Sequence, residues 1–311
     1  MKLLQDTPEE ICPSNLTNYV VYSDTDSIYV YAEPLLEALY PNFKELPGEE
    51  KDNILEKVAI KYQDVITKYY DTLAQDCFNI QEHRLEMKTE AVIRAAYFRA
   101  TRRYAQWITK EEGVVKENLD IKGLEFQKSN FPPVFGEFFH GIVEQVLKGA
   151  QKDDIIPQIK DFKKKILEGE IPLPKLGNPT AIKKLDKYTG KKKVKKQVFT
   201  PIKKGAPAPV KASIKYNDLL KLWGLDKKYP LITQADKVKW AHLKDNSYKI
   251  ETLAFFEGEI PEKIDNFLSQ YADRQKIFDT ILLKKLEGFF SDLSWEFELN
   301  PHIEKFQTIS V

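Results

Sequence analysis

Two short runs of β-branched and aromatic residues, Tyr19-Val20-Val21-Tyr22 and Ile28-Tyr29-Val30-Tyr31, flank the polar stretch Ser23-Asp24-Thr25-Asp26-Ser27. Such runs favour strands, and Asp, Thr and Ser favour turns because their side chains bond nearby backbone. The pattern predicts a hairpin with two carboxylates at its tip. Residues 41–50, with Pro47-Gly48, read as a loop. Beyond it Ile54, Val58, Tyr62, Val65, Tyr69 and Leu73 recur at three- and four-residue spacing, which predicts a long amphipathic helix with its tyrosine stripe packed in a core. Residues 84–108 break into short runs that fit two or three strands.

Helical periodicity returns over 134–147 and 155–167, and Pro172, Pro174 and Gly177-Asn178-Pro179 then predict a loop. Residues 227–233 and 236–243 read as strands of a small sheet. A last helix is expected over about 273–293, with Ile277, Ile281, Leu282, Leu286, Phe289 and Phe290 facing inward. Before the hairpin, Pro8 and Pro13 interrupt a short mixed segment, and nothing there reads as a separate domain.

At 311 residues with 42% hydrophobic positions, the chain can build two or three cored domains and is not a disordered protein. A net charge of +1 hides an uneven distribution: residues 175–215 hold 13 lysines against the single acid Asp186, whereas 251–311 hold 12 acids against six basic residues. That asymmetry points to a polyanion partner for the lysine-rich stretch, although a solvated loop has the same composition. Cys12 and Cys77 are too few for a disulfide framework or a cysteine zinc site, so a reducing compartment is expected. No apolar run approaches membrane-spanning length and no leader pattern opens the chain, which suggests a cytoplasmic protein. His83, His140, His242 and His302 have no metal-binding spacing, and neither Gly-rich phosphate motif is present.

The candidate chemistry lies at the hairpin. Mg²⁺ takes oxygen ligands and keeps several waters, so one or two aspartates on a rigid turn suit a site completed by substrate phosphates. An ordinary polar turn uses the same residues.

Tyr22-Ser23-Asp24-Thr25-Asp26-Ser27 between apolar strands resembles the third palm motif of family B DNA polymerases. Glu90, Phe98 and Tyr104 follow in the order of that family's Glu-bearing strand, Phe-ending strand and Lys-Lys-(Arg/Lys)-Tyr motif, with Thr101 and Arg102 standing where the family usually has the two lysines. Residues 121–129 resemble the passage from palm to thumb. Gly205-x-Pro207-x-x-Val210-Lys211 leading to Tyr216-Asn217 resembles the thumb signature of the tailed-phage branch, with Ala212 replacing a usual Gly and Pro209 a usual polar residue. The likeness extends from about residue 18 to 295.

The resemblance implies an α+β chain. Residues 1–120 would be the C-terminal part of a palm, an antiparallel sheet with helices, and 121–311 a mostly helical thumb with a small β subdomain. It further implies template-directed nucleotidyl transfer with two Mg²⁺ ions. Asp26 would ligate metal, Asp24 would stand beside it as a second metal-site carboxylate, and Glu90 would contribute nearby. Arg102, Arg103 and Tyr104 would hold the primer strand. Lys122, Lys128, Lys183, Lys184, Lys191, Lys192, Lys193 and Lys211 would grip duplex backbone.

The first palm motif, the fingers helix and the exonuclease motifs are missing, so Asp26 supplies only half of a two-metal site. The expectation is therefore the C-terminal subunit of a split polymerase, although a truncated chain or a degraded gene would give the same sequence. Alone it would be inactive; it would act on primer–template DNA and deoxynucleoside triphosphates once joined by an N-terminal half, in the cytoplasm of a phage-infected bacterial cell. Residues 306–311 faintly resemble a sliding-clamp peptide. The alternative is a non-catalytic duplex-binding or scaffold protein derived from a polymerase, in which the lysines matter and Asp26 does not.

Overall fold

The structure, a computed structural model, describes residues 19–191 and 198–296. The chain is α+β, with three small antiparallel sheets and helices between and after them. It divides into two compact units, one ending at Leu124 and the other beginning at Glu125.

In the first unit, β1 (Val20–Asp24) and β2 (Ser27–Val30) form the predicted hairpin, paired from Val20↔Val30 to Asp24↔Ser27. A short helix α1 (Glu33–Leu39) and a 3₁₀ turn (Phe43–Glu45) lead to α2 (Gly48–Phe78). The expected loop over 41–50 is thus shorter than the Pro-Gly pair suggested, because Pro47 caps α2 instead of breaking it. A second sheet follows, built from β3 (Ala91–Ala100), β4 (Arg103–Glu111) and β5 (Val114–Lys122) in that order.

Helix α2 departs from expectation. Its only buried residues are Asp52 and Ala74, while Val65 and Tyr69 are exposed and Tyr62 is half-buried. Polar contacts near the helix start tie it to the sheet: Arg94 of β3 donates to Asp52 at 2.5 Å, and Lys110 of β4 donates to Asn53 at 2.7 Å and Glu56 at 2.6 Å. Farther along, the extended segment before β3 is held by backbone N–H groups of Met87 and Thr89 donating to Thr67 and Gln63. Ile54, Val58 and Leu73 of the same stripe are also half-buried and not in a core.

The second unit opens with a 3₁₀ turn (Glu125–Gln127), α3 (Pro133–Leu147) and α4 (Lys152–Glu168), both helices where periodicity placed them. Where a loop was expected, the chain makes a one-turn helix α5 (Leu173–Leu176) and strand β6 (Asn178–Ala181). Pro179 is compatible with β6 because this is an edge strand, paired only with β7 (Lys237–His242), which pairs in turn with β8 (Thr252–Phe255). Between β6 and β7 lie a short α6 (Leu185–Tyr188), the lysine-rich loop and α7 (Ala208–Leu222).

Residues 227–233 are not the strand their β-branched composition suggested. The Asn217 side-chain amide donates to the Ile232 carbonyl and accepts from the Ile232 N–H, both at 2.8 Å, and so takes the place of a strand neighbour. The thumb-signature asparagine therefore has a structural duty.

After α8 (Glu262–Tyr271), the last helical stretch runs as α9 (Arg274–Phe278), a π turn (Asp279–Leu283) and α10 (Lys284–Asp292), capped at its start by Asp273. All six residues expected to face inward are buried. They close a core with Phe126, Phe135 and Phe139.

Replacing Asn217 with Ala leaves a buried backbone donor and acceptor without partners. The expected loss is about 2–4 kcal/mol in the stability of the second unit, read by urea denaturation.

Candidate functional site

The hairpin turn is tight and strained. Asp24 pairs with Ser27, so only Thr25 and Asp26 form the loop, and Thr25 adopts φ 55°. That left-handed conformation costs a β-branched residue roughly 1–2 kcal/mol. Local bonds hold it: Thr25 Oγ1 donates to Asp24 Oδ1 at 3.2 Å and Ser27 Oγ to the Asp24 carbonyl at 3.1 Å.

A two-stranded hairpin is marginal in water on its own. Here an aromatic cluster seats it on the second sheet. Tyr22 of β1 and Tyr29 of β2 meet Phe98 of β3 and Tyr104 of β4, with all ring centroids between 5.3 and 5.9 Å apart. Tyr29 also donates to the Tyr104 hydroxyl at 3.4 Å. Burial, and then this bond, push the Tyr29 phenol well above its ordinary pKa, so it remains a neutral donor.

The seating brings Asp24 to the β3–β4 turn, where Arg102 sits with φ 58°. Arg102 Nε donates to Asp24 Oδ2 at 3.0 Å and Nη2 to Oδ1 at 3.3 Å, while its backbone N–H donates to the Tyr22 hydroxyl at 3.0 Å. Tyr22 in turn donates to Asp24 Oδ2 at 3.4 Å. The hydrogen bond from Arg102 outweighs partial desolvation and holds the Asp24 carboxyl below the usual aspartate range. The turn itself requires Gly123, because a Cβ there would lie 2.1 Å from the Arg102 carbonyl oxygen.

The two tip carboxylates are therefore in different states. Asp24 is committed to a forked guanidinium and two hydroxyls. Asp26 is exposed and makes no hydrogen bond or ion pair with any described residue. Arg103 starts β4 and is exposed, and Lys122 lies across from Tyr104 with an ion pair to Asp120 at 3.2 Å.

Glu90 is not part of this group, and that is a correction. It immediately precedes β3, and its carbonyl accepts from Glu112 N–H at the end of the β3–β4 pair opposite Arg102. The ten-residue strand separates the two ends by about 30 Å. Strand order alone could not reveal that one unbroken strand joins Glu90 to the turn. Among the described residues no three of His, Cys, Asp and Glu come together to hold a metal. Asp26, with Asp24 beside it, fits part of a divalent-cation site and not a whole one.

The second unit carries the other candidate residues. Lys128, Lys183, Lys184, Lys191 and Lys211 are exposed, and none forms an ion pair with a described residue. Lys192 and Lys193 lie outside the described residues. The neck of the lysine-rich loop is fixed: Gly190 N–H donates to the Pro201 carbonyl at 2.7 Å, and Lys203 N–H to the Tyr188 carbonyl at 3.0 Å. Buried Asp218 of α7 then takes both the N–H and the hydroxyl of Thr200, at 2.7 and 2.6 Å. These anchors, like Tyr22, Tyr29 and Gly123, have roles that the sequence motifs contained but did not disclose.

No protein-family model matches the chain. Over 306 aligned residues it is 21% identical to the DNA-directed DNA polymerase of Enterobacteria phage T4, covering 93% of this chain and 32% of that one. With the DNA-directed DNA polymerase of Escherichia phage RB69 identity is 23% over 311 residues, again covering 93% and 32%. The chain is similar to phage DNA polymerases. It spans about a third of the length of these curated relatives, 32% in each case. No helix among the described residues is long and apolar enough to cross a membrane.

Because the Asp24 pKa is lowered in the folded chain, its pairing is complete above the ordinary aspartate value of 3.8 and is lost as pH falls through the depressed one. A carboxyl-carbon NMR titration is expected to place the Asp24 midpoint below 3.8, and Arg102→Ala to move it up towards that value.

Proposed function

We propose that this chain is the palm-hairpin and thumb part of a family B-type DNA polymerase and catalyses nucleotidyl transfer only when a second polypeptide completes it. The observation that carries the reading is the uncommitted Asp26 carboxylate, held on a strained turn over an aromatic seat, in a chain similar to phage DNA polymerases. The first unit is the palm portion and the second the thumb.

In this reading Asp26 holds Mg²⁺ together with carboxylates from the N-terminal half of such a polymerase. The two ions supply charge neutralisation at the triphosphate and activation of the primer 3′-hydroxyl. Asp26 itself provides an exposed anionic ligand at the tip of the turn. Arg102, Arg103 and Tyr104 line the primer side, beside Asp24. Lys122, Lys128, Lys183, Lys184, Lys191 and Lys211 contact phosphates, as do Lys192 and Lys193. Such contacts need cations free of internal partners, and several of these lysines are free among the described residues.

The surface of the first unit supports an N-terminal partner. Val20, Val21, Ile28 and Val30 are exposed on the hairpin, as are Val65 and Tyr69 on α2. Among the described residues each hairpin strand pairs with the other alone.

Primer extension with Mg²⁺ and all four deoxynucleoside triphosphates tests the reading. The chain alone is expected to be inactive, and a mixture with a separately supplied N-terminal polymerase half to extend the primer. Asp26→Ala should lower extension by the mixture about 10²–10³-fold, by analogy with loss of one electrostatic stabiliser, while duplex affinity stays the same or rises. Unchanged extension by that variant would sink the enzyme reading in favour of a duplex-binding scaffold.

Duplex affinity of the chain alone should fall steeply with salt, the slope of log K against log salt being about −0.9 per phosphate contacted. Removing Lys183, Lys184 and Lys191 together should flatten that slope by nearly three.

A further inference from the structure

Arg102 is positioned with unusual care for an exposed side chain. Its backbone is held in the left-handed region, its N–H is taken by Tyr22, and its carbonyl occupies space that only Gly123 leaves open. The result is a guanidinium bonded to one carboxylate, while the neighbouring carboxylate of Asp26 receives no hydrogen bond from any described residue.

The pair is nevertheless weak. The Arg102 side chain is 74% exposed and that of Asp24 30% exposed. Ion pairs this open to water contribute little, because solvent screens them and both side chains lose rotamer freedom. A charge-assisted bond to a phosphate or a base-edge acceptor competes with such a pair on equal terms. With Nε and Nη2 on Asp24, the planar fork keeps only part of its donor set for any other acceptor.

We infer that Arg102 is a positioning residue exchanged between two acceptors, Asp24 in the free chain and the primer strand in the DNA complex, so that Asp24 acts as a built-in competitor of DNA. The inference rests on the proposed function, since it takes duplex DNA as the ligand. It also divides the tip carboxylates. Asp24 serves as the counter-ion of Arg102, and Asp26 serves the metal. When DNA takes Arg102, Asp24 becomes a bare carboxylate beside phosphates, and the site then favours an incoming divalent cation. Primer binding and metal binding are coupled through one side chain, with no movement of the backbone required.

The test is a double-mutant cycle on duplex binding by the full chain, read by fluorescence anisotropy with a primer–template of fixed sequence at several salt concentrations. Asp24→Asn keeps the shape of the carboxylate and removes its charge, so it is expected to release Arg102 and raise affinity about fivefold, the worth of one exposed pair. Arg102→Ala should lower affinity and reduce the salt slope by about 0.9. In the Arg102→Ala background, Asp24→Asn should gain less than twofold.

Equal gains from Asp24→Asn in both backgrounds would mean that Asp24 only repels DNA at long range, which overturns the exchange. So would the absence of any gain with Arg102 present. Arg102→Lys, which keeps the charge and loses the fork, guards against a folding artefact and should retain the salt slope while halving the coupling to Asp24. If the unmodified chain binds no duplex at all, the proposed function fails first and the inference with it.

Discussion

The candidate site depends on how a hairpin too small to be stable alone is held in place. Tyr22 and Tyr29 project from its two strands onto Phe98 and Tyr104, and each aromatic pair adds about 0.5–1.5 kcal/mol beyond the area it buries. That apolar seat holds the turn in place, and in the free chain the Arg102 fork pairs with one of its two carboxylates. Everything chemical about the tip follows from these two constraints: a carboxylate that is paired, another that is open to solvent, and strain stored at Thr25 between them. Strain of this kind persists only where the surroundings determine the backbone, and here three side-chain contacts do so.

Features whose cause is local were legible in the sequence. The Asp-Thr-Asp turn, the helices after residue 132 and the inward face of the terminal helix all follow from short-range propensity and periodicity. Periodicity also marked a stripe on α2, but a stripe records only that a face is apolar and not whether anything covers it; Tyr69 is exposed while Asp52 is buried. Strand propensity in 227–233 lost to a side-chain amide that satisfied the backbone first. Glu90 was misjudged for a related reason. Order along the chain matched a motif, but the length of the unbroken strand between motif positions decides distance, and β3 is ten residues long.

Polar side chains in the second unit fall into two populations. Asn217 and Asp218 are spent on backbone of the same unit, where unpaired groups would be costly, and Asp218 keeps the base of the lysine-rich loop in one shape. The lysines around that base remain exposed and uncommitted. A rigid mount carrying flexible cations suits an irregular polyanion, because the mount limits where the charges go while the long side chains adapt to each phosphate.

The order in which the chain assembles follows from the same seat. The β3–β5 sheet is joined by tight turns and can form from near neighbours, whereas the bonds from Arg102 to Asp24 and from Tyr29 to Tyr104 span 78 and 75 residues. Closing so long a loop costs little extra stability, since each doubling of length adds only about 0.6 kcal/mol, but contacts of that range are slow to form. The turn bearing the two carboxylates therefore depends for its seat on a part of its unit that is synthesised much later. During synthesis it waits, already made, for a sheet that emerges some seventy residues later, and the acidic tip acquires its geometry only when that sheet arrives.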